Sequence, residues 1–337
     1  MSLYVTELRR LFKRRLTRVL LVLLVLGLAA ITISFSVASH RIDPARVAAA
    51  EARAEQEFQQ QVRYHTQAVA ECEAARARGE NVEERYGPDC GKEYPPQREH
   101  FQAEWYLPFQ FEFREQFGVF ISVFSGILAL FAFIIGASYV GAEWNTGGMM
   151  NLLLWRPKRL SVLLTKLGVL LSGVLGIGVV LGALWTAAFW LIGKYDGITG
   201  KMTQGVWESF AISGARGLGL ALAVGAVAFG LASLGRHTAM ALGVAVGIGV
   251  VSEIGLRIAL QIAGVRFGDR YVLSTYAIAW FEKSFTLYDY RACDFAMGEC
   301  KPGEFLVTWQ DSALVFGVGT ALVLAAAMWA IRRRDIT

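Results

Sequence analysis

Apolar residues fall into six long runs along the chain, each closed off by polar or charged positions. A helix needs roughly 20 apolar residues to cross a bilayer. Residues 19–39, 118–140, 160–192, 207–234, 238–260 and 309–331 meet that length and are read as transmembrane helices. Residues 1–18 carry a different pattern. Leu3, Val5, Leu8, Leu11 and Phe12 make one apolar side, and Arg9, Arg10, Lys13 and Arg14 face away from it. Such a helix lies in the membrane interface. The run after it is longer than the apolar core of a usual signal peptide and no convincing small-residue cleavage site follows, so an uncleaved first span is expected.

Between the first and second spans, residues 40–117 lose the spanning pattern and are read as a helical insert outside the membrane. Asp43-Pro44 predicts a helix start, with a capping carboxylate and then proline at the first helical position. The helix is expected to run to about Arg78. Phe58, Val62, His65, Val69 and Cys72 alternate steps of four and three, a narrow apolar stripe that needs a covering surface. Glycines and prolines predict loop over Gly79–Pro96. Aromatic residues from Phe101 through Trp105, Phe111 and Phe113 to Phe117 lead into the second span and read first as an interfacial belt, with a substrate-facing surface as the alternative. Residues 193–206 are a short external turn, 261–308 a second external region, and 332–337 a tail.

Composition agrees with the pattern. The chain is 55% hydrophobic and only 18% charged, against about 25% charged in soluble domains. Its net charge of +5 is sorted by side rather than spread. Segments expected on the cytoplasmic side hold 14 basic residues against Glu7, Glu143 and Asp335, whereas residues 40–117 hold 10 basic and 15 acidic. By the positive-inside rule both termini are cytoplasmic, in a multi-pass protein of the cell membrane. The basicity is topological, and nothing in it points to nucleic acid.

The stretch Gly141–Lys166, GAEWNTGGMMNLLLWRPKRLSVLLTK, is too polar to belong to either neighbouring span. Asn145-Thr146-Gly147-Gly148 breaks the helix, Asn151–Trp155 predicts a short amphipathic one, and Pro157 stops it. Gly141-Ala142-Glu143-Trp144, with Gly147, Leu152-Leu153, Pro157 and Lys166, resembles the membrane-subunit (permease) family of type-two ABC exporters. The resemblance covers almost the whole chain, including the Arg332–Asp335 ending; the insert is longer than the family's minimum, and Gly148 stands where the family usually has threonine. It implies an all-α integral membrane protein with six transmembrane helices and a cytoplasmic coupling helix. That helix would dock into a cytoplasmic ABC ATPase subunit, present in two copies, through Leu152, Leu153, Trp155, Arg156 and Arg159, with Glu143 anchoring the loop. It also implies a second permease copy or paralogue, surrounding membrane lipid, and short helices in 261–308 that dip partly into the membrane.

The chain itself shows no phosphate-binding loop, zinc helix or nucleophile elbow. No cofactor is expected to bind it directly; ATP and Mg belong to the partner ATPase. Cys72, Cys90, Cys293 and Cys300 all fall in expected external segments, where disulfides form. Four cysteines allow three pairings; Cys72 with Cys90 and Cys293 with Cys300 is preferred because each closes one compact loop, and a metal site is the rival. Arg216, Glu253 and Arg257 are charges inside spans, where charge is costly. Glu253 and Arg257 stand one turn apart in the favourable acid-first order, which suggests a structural ion pair linking the fourth and fifth spans; a polar point on a substrate route is the other reading. The expected function is the permease subunit of an ATP-driven exporter for a hydrophobic or amphipathic substrate. A signalling or assembly protein whose insert recruits a partner is the alternative.

Overall fold

The computed structural model describes residues 3–81, 89, 90, 92, 94–155, 158–290 and 301–333, with the backbone alone for Leu153, Leu154 and Trp155. In chain order the helices are α1 (Leu3–Lys13), α2 (Arg15–Ala38), α3 (Pro44–Ala77), α4 (Phe113–Asn145), α5 (Gly148–Trp155), α6 (Arg159–Tyr195), α7 (Gln204–Gly235), α8 (Thr238–Ile262), α9 (Leu273–Glu282) and α10 (Trp309–Arg333). Helices α2, α4, α6, α7, α8 and α10 are long and apolar enough to cross a membrane. The protein is an all-α integral membrane protein with one addition the sequence reading lacked. Strands β1 (Ser284–Asp289) and β2 (Gly303–Thr308) pair antiparallel, from Ser284 opposite Thr308 to Asp289 opposite Gly303. Six-residue strands carry too few alternating positions to stand out in an aromatic-rich region.

The chain forms two compact units. The first comprises residues 1–32, 114–189 and 201–337. Its interior is aromatic where α4, α6 and α7 meet: Phe120 lies 4.4 Å from Phe189, Trp185 4.8 Å from Phe189, and Phe117 5.2 Å from Phe210, ring centre to ring centre. Deeper along α4 and α7 the packing changes to small residues. A Cβ on Gly136 would stand 2.4 Å from the Gly225 carbonyl oxygen, so the two backbones touch there. Without a hydrophobic driving force between helices in lipid, such close approach supplies the attraction.

Within α8 the residues Val250–Leu256 are π-helical. The wider turn puts Ser252 and Glu253 against the start of α9: the amide of Leu273 donates to Ser252 Oγ at 3.2 Å and that of Ser274 to Glu253 Oε1 at 2.8 Å. These side chains satisfy donors that a helix start leaves open.

The second unit comprises residues 33–113 and 190–200. Asp43 caps α3, its carboxylate accepting from the Arg46 amide at 2.8 Å, with Pro44 as first helical residue. At Phe58 the stripe on α3 is covered by the return segment. Phe58 packs on Phe101 at 5.7 Å, Glu55 pairs with Arg98 at 2.5 Å, and Tyr106 donates to Glu57 at 2.8 Å. Cys72 and Cys90 are buried and joined in a disulfide that ties the far end of the helix to the loop. Cys293 and Cys300 lie outside the described residues. The aromatic run divides: Trp105 is exposed, whereas Phe111 and Phe113 are fully buried and thus do not form the interfacial belt expected of them.

Candidate functional site

At the end of α4, side chains from the α1–α2 junction, from α6 and from the α7–α8 turn meet. Helix α4 stops at Asn145, and Gly147 turns the chain with φ +71, a left-handed conformation that suits glycine. Helix α5 then starts at Gly148, with Met149 fully buried.

Three residues of the Gly141–Trp144 motif, Gly141, Glu143 and Trp144, make specific contacts. Gly141 permits close approach: a Cβ there would stand 2.5 Å from the Thr238 backbone nitrogen, so the turn between α7 and α8 rests on α4. Trp144 carries the Arg236 guanidinium over its ring at 4.9 Å, and Arg236 is held in left-handed conformation (φ 53) at the end of α7. Glu143 joins two cations, accepting from Arg14 and pairing with Lys166 Nζ at 2.8 Å.

Those cations lead to a larger buried cluster. Lys166 Nζ also meets Glu7 Oε2 at 2.5 Å, and both side chains are fully buried. Tyr139 donates its hydroxyl to Glu7 at 2.8 Å, and Arg10 reaches the other Glu7 oxygen at 2.9 Å. Arg14 donates to the Tyr139 carbonyl at 3.0 Å, and the Arg14 and Lys166 cations lie 4.8 and 4.9 Å from the Tyr139 ring centre. Two carboxylates thus face two enclosed cations, the balance that buried charge requires. Burial pushes the Glu7 carboxyl up, but the hydrogen bond and charge of Lys166, then Tyr139 and Arg10, outweigh it and hold it below the usual carboxylate range.

A model of the family described as ABC-2 family transporter protein matches residues 1–336. The chain belongs to the ABC-2 transporter family. No curated protein and no solved structure matches it. As an ABC-2 protein it is a multi-pass membrane component of an ABC transporter, of the permease kind.

The residues expected to serve this ABC-2 permease lie as follows. Glu143 faces inward, into the cluster just described, and Leu152 is half-buried. Arg159 opens α6. The side chains of Leu153 and Trp155, and Arg156 as a whole, lie outside the described residues. Glu253 and Arg257 do not pair with one another. The π-helical turn breaks the i, i+4 alignment, so Glu253 caps α9 while Arg257 pairs with Asp269 at 3.1 Å and donates to Ser274 Oγ at 3.3 Å. Arg216 does not link the fourth and fifth spans either. It lies over the Trp309 ring at 5.1 Å, and its carbonyl accepts from the Trp280 indole at 2.9 Å, joining α7 to α9 and α10.

Sequence reading assigned no role to Tyr139, counted Glu7 only among the cytoplasmic acids, and named Lys166 only within the motif that carries the family resemblance. The signal was present in α1. Leu3, Glu7 and Leu11 recur every fourth residue, placing a lone acid on the apolar side of a basic helix, and Glu7 and Leu11 are its buried positions.

Proposed function

We propose that this chain is the permease subunit of an ATP-driven exporter, moving a hydrophobic or amphipathic substrate outward with a separate ATPase. The observation that carries the reading is the bond between Glu143 and Lys166. It ties the end of α4 to the start of α6, the two spans that α5 connects. A push on α5 by a closing ATPase dimer then moves both spans together, and the Glu7 bridge adds α1 to the moving body. ATP and Mg sit in the ATPase, whose two copies face a pair of permeases, identical or paralogous. Both termini and α5 lie on the cytoplasmic side of the plasma membrane, as the basic residues of α1, the α5–α6 connection and the end of α10 support. Helices α2 and α8 leave apolar residues such as Leu26, Ile33, Val246 and Val251 uncovered, surface available to lipid and to the second permease.

The test is reconstitution of the chain in lipid vesicles with an ATPase subunit encoded beside it. Expected are co-purification, ATP hydrolysis stimulated by the permease, and no ATP binding to the isolated chain. Micromolar ATP binding by the isolated chain, or an ATPase that neither binds it nor responds to it, would remove the reading.

A further inference from the structure

In a π-helix each amide bonds five residues back, and such winding is rare and mostly confined to single turns. Helix α8 holds seven residues so wound, Val250–Leu256, between α-helical Thr238–Gly249 and Arg257–Ile262. The wide turn is held from outside the helix. Ser252 Oγ and Glu253 Oε1 accept from the Leu273 and Ser274 amides, at 3.2 and 2.8 Å. Arg257 donates to Asp269 at 3.1 Å and to Ser274 Oγ at 3.3 Å. All four bonds run from α8 to residues 269–274. A second uphill feature lies in the connection from α8 to α9. Phe267 stands in the left-handed region, φ 51 and ψ 40, which a bulky side chain rarely adopts and which persists only where surrounding contacts impose it.

The sequence of α8 also encodes another arrangement. Wound as an α-helix, Glu253 and Arg257 stand one turn apart on one face, acid first, the favourable order for an ion pair. Glu253 cannot serve Arg257 there and the Ser274 amide at the same time. Ser252 is its neighbour on the helix, so rewinding turns both caps away from α9 together. Rewinding also turns and lengthens α8 beyond Gly249, a change that the connection at Phe267 can take up. Arg257 keeps one carboxylate in either arrangement, Asp269 in the first and Glu253 in the second. The Asp269 side chain is half-exposed, so water can take it over when the arginine leaves.

We infer that α8 is a two-state latch on α9. It is π-helical with Glu253 on the Ser274 amide and Asp269 on Arg257, or α-helical with Glu253 on Arg257 and the start of α9 released. The two acids compete for one arginine, and their balance sets the population of each state. The inference concerns α8 and α9 alone and does not use coupling to an ATPase, so it stands or falls apart from the exporter reading.

The test is hydrogen exchange at the Leu273 and Ser274 amides of the full chain in nanodiscs, resolved to single residues by fragmentation in the mass spectrometer. Asp269→Asn bonds neither amide through its side chain, yet it frees Arg257 for Glu253. Both amides should then exchange about tenfold faster, the scale of losing one hydrogen bond to a charged group. Adding Arg257→Gln or Glu253→Gln to Asp269→Asn should return both amides to the native rate or below it, because the second ion pair can no longer form. Arg257→Gln alone leaves Glu253 no other partner and should slow both amides. Unchanged exchange in Asp269→Asn would overturn the latch. A rise that persists in the double variants, or faster exchange in Arg257→Gln alone, would show that Asp269 and Arg257 merely brace the start of α9. A rise confined to Ser274 would show that Glu253 swings by itself and would overturn the change of winding.

Discussion

Glu7 and Lys166 are bonded at 2.5 Å across 159 residues of sequence, both fully buried. Removing one partner of a buried ion pair leaves the other uncompensated and typically costs about 3–5 kcal/mol. Lys166→Met should therefore lower thermal stability in detergent by that order. Glu7→Gln with Lys166→Met should recover much of the loss, since no unpaired carboxylate then faces the methionine at that contact. A double variant as unstable as the sum of the single ones would show that the two residues do not act as a pair.

The same pair sets an acid limit. A carboxyl held below its ordinary value of 4.5 contributes stability that is full above that value and disappears as pH falls through the lower, folded-state value. Thermal unfolding followed from pH 7 downward should thus hold steady until below pH 4.5 and then decline. Glu7→Gln should remove part of that decline. An unchanged acid slope in the variant would assign it to other carboxylates.

Close helix contact gives a sharper steric prediction. Gly136→Ala would bring a methyl within 2.4 Å of the Gly225 carbonyl oxygen, a backbone atom that cannot swing aside. Overpacking of this kind costs about 1–3 kcal/mol. Gly243→Ala, where a Cβ meets nothing within 4 Å, is the control and should be neutral. Equal melting temperatures for the two variants would argue against direct α4–α7 backbone contact.

The spans were legible because a bilayer demands one long apolar run per crossing, and each of the six runs became a helix. The start of α3 was equally legible, since Asp43 and Pro44 act locally. Long-range pairing was not. Nothing in the α1 pattern alone tells Glu7 that its partner is Lys166, although its place between Leu3 and Leu11 marked it as buried. The Glu253–Arg257 expectation failed for a different reason. It assumed α-helical spacing, and the π-helical turn that aims Glu253 at α9 has no sequence signature of its own.

The disulfide between Cys72 and Cys90 closes a short loop at the end of α3. Closing about 15 residues is worth roughly 3 kcal/mol in the chain-entropy model. Cys72→Ser with Cys90→Ser should make the insert susceptible to protease near Arg78 without altering helix content of the spans by circular dichroism. An unchanged cleavage pattern would show that the packing of Phe58 on Phe101 and the Arg98–Glu55 pair suffices to hold the insert.

Coupling through α5 separates docking from transmission. Under the exporter reading, apolar residues of α5, among them Trp155, are proposed to dock into the ATPase, and truncating an aromatic anchor commonly costs 2 kcal/mol or more, about a thirtyfold loss of affinity. Trp155→Ala should therefore reduce the yield of the permease–ATPase complex. Glu143→Gln acts differently, because Glu143 faces the Arg14 and Lys166 cations rather than a partner. It should leave the yield of complex intact while weakening the tie between α4 and α6, so that ATP hydrolysis persists and its stimulation by the permease falls. If Trp155 rests at the lipid interface instead, as tryptophans near span ends often do, Trp155→Ala lowers only the melting temperature of the permease in detergent. Measuring complex yield and melting temperature on both variants distinguishes these outcomes, and an undiminished yield with Trp155→Ala would withdraw the docking role from that residue.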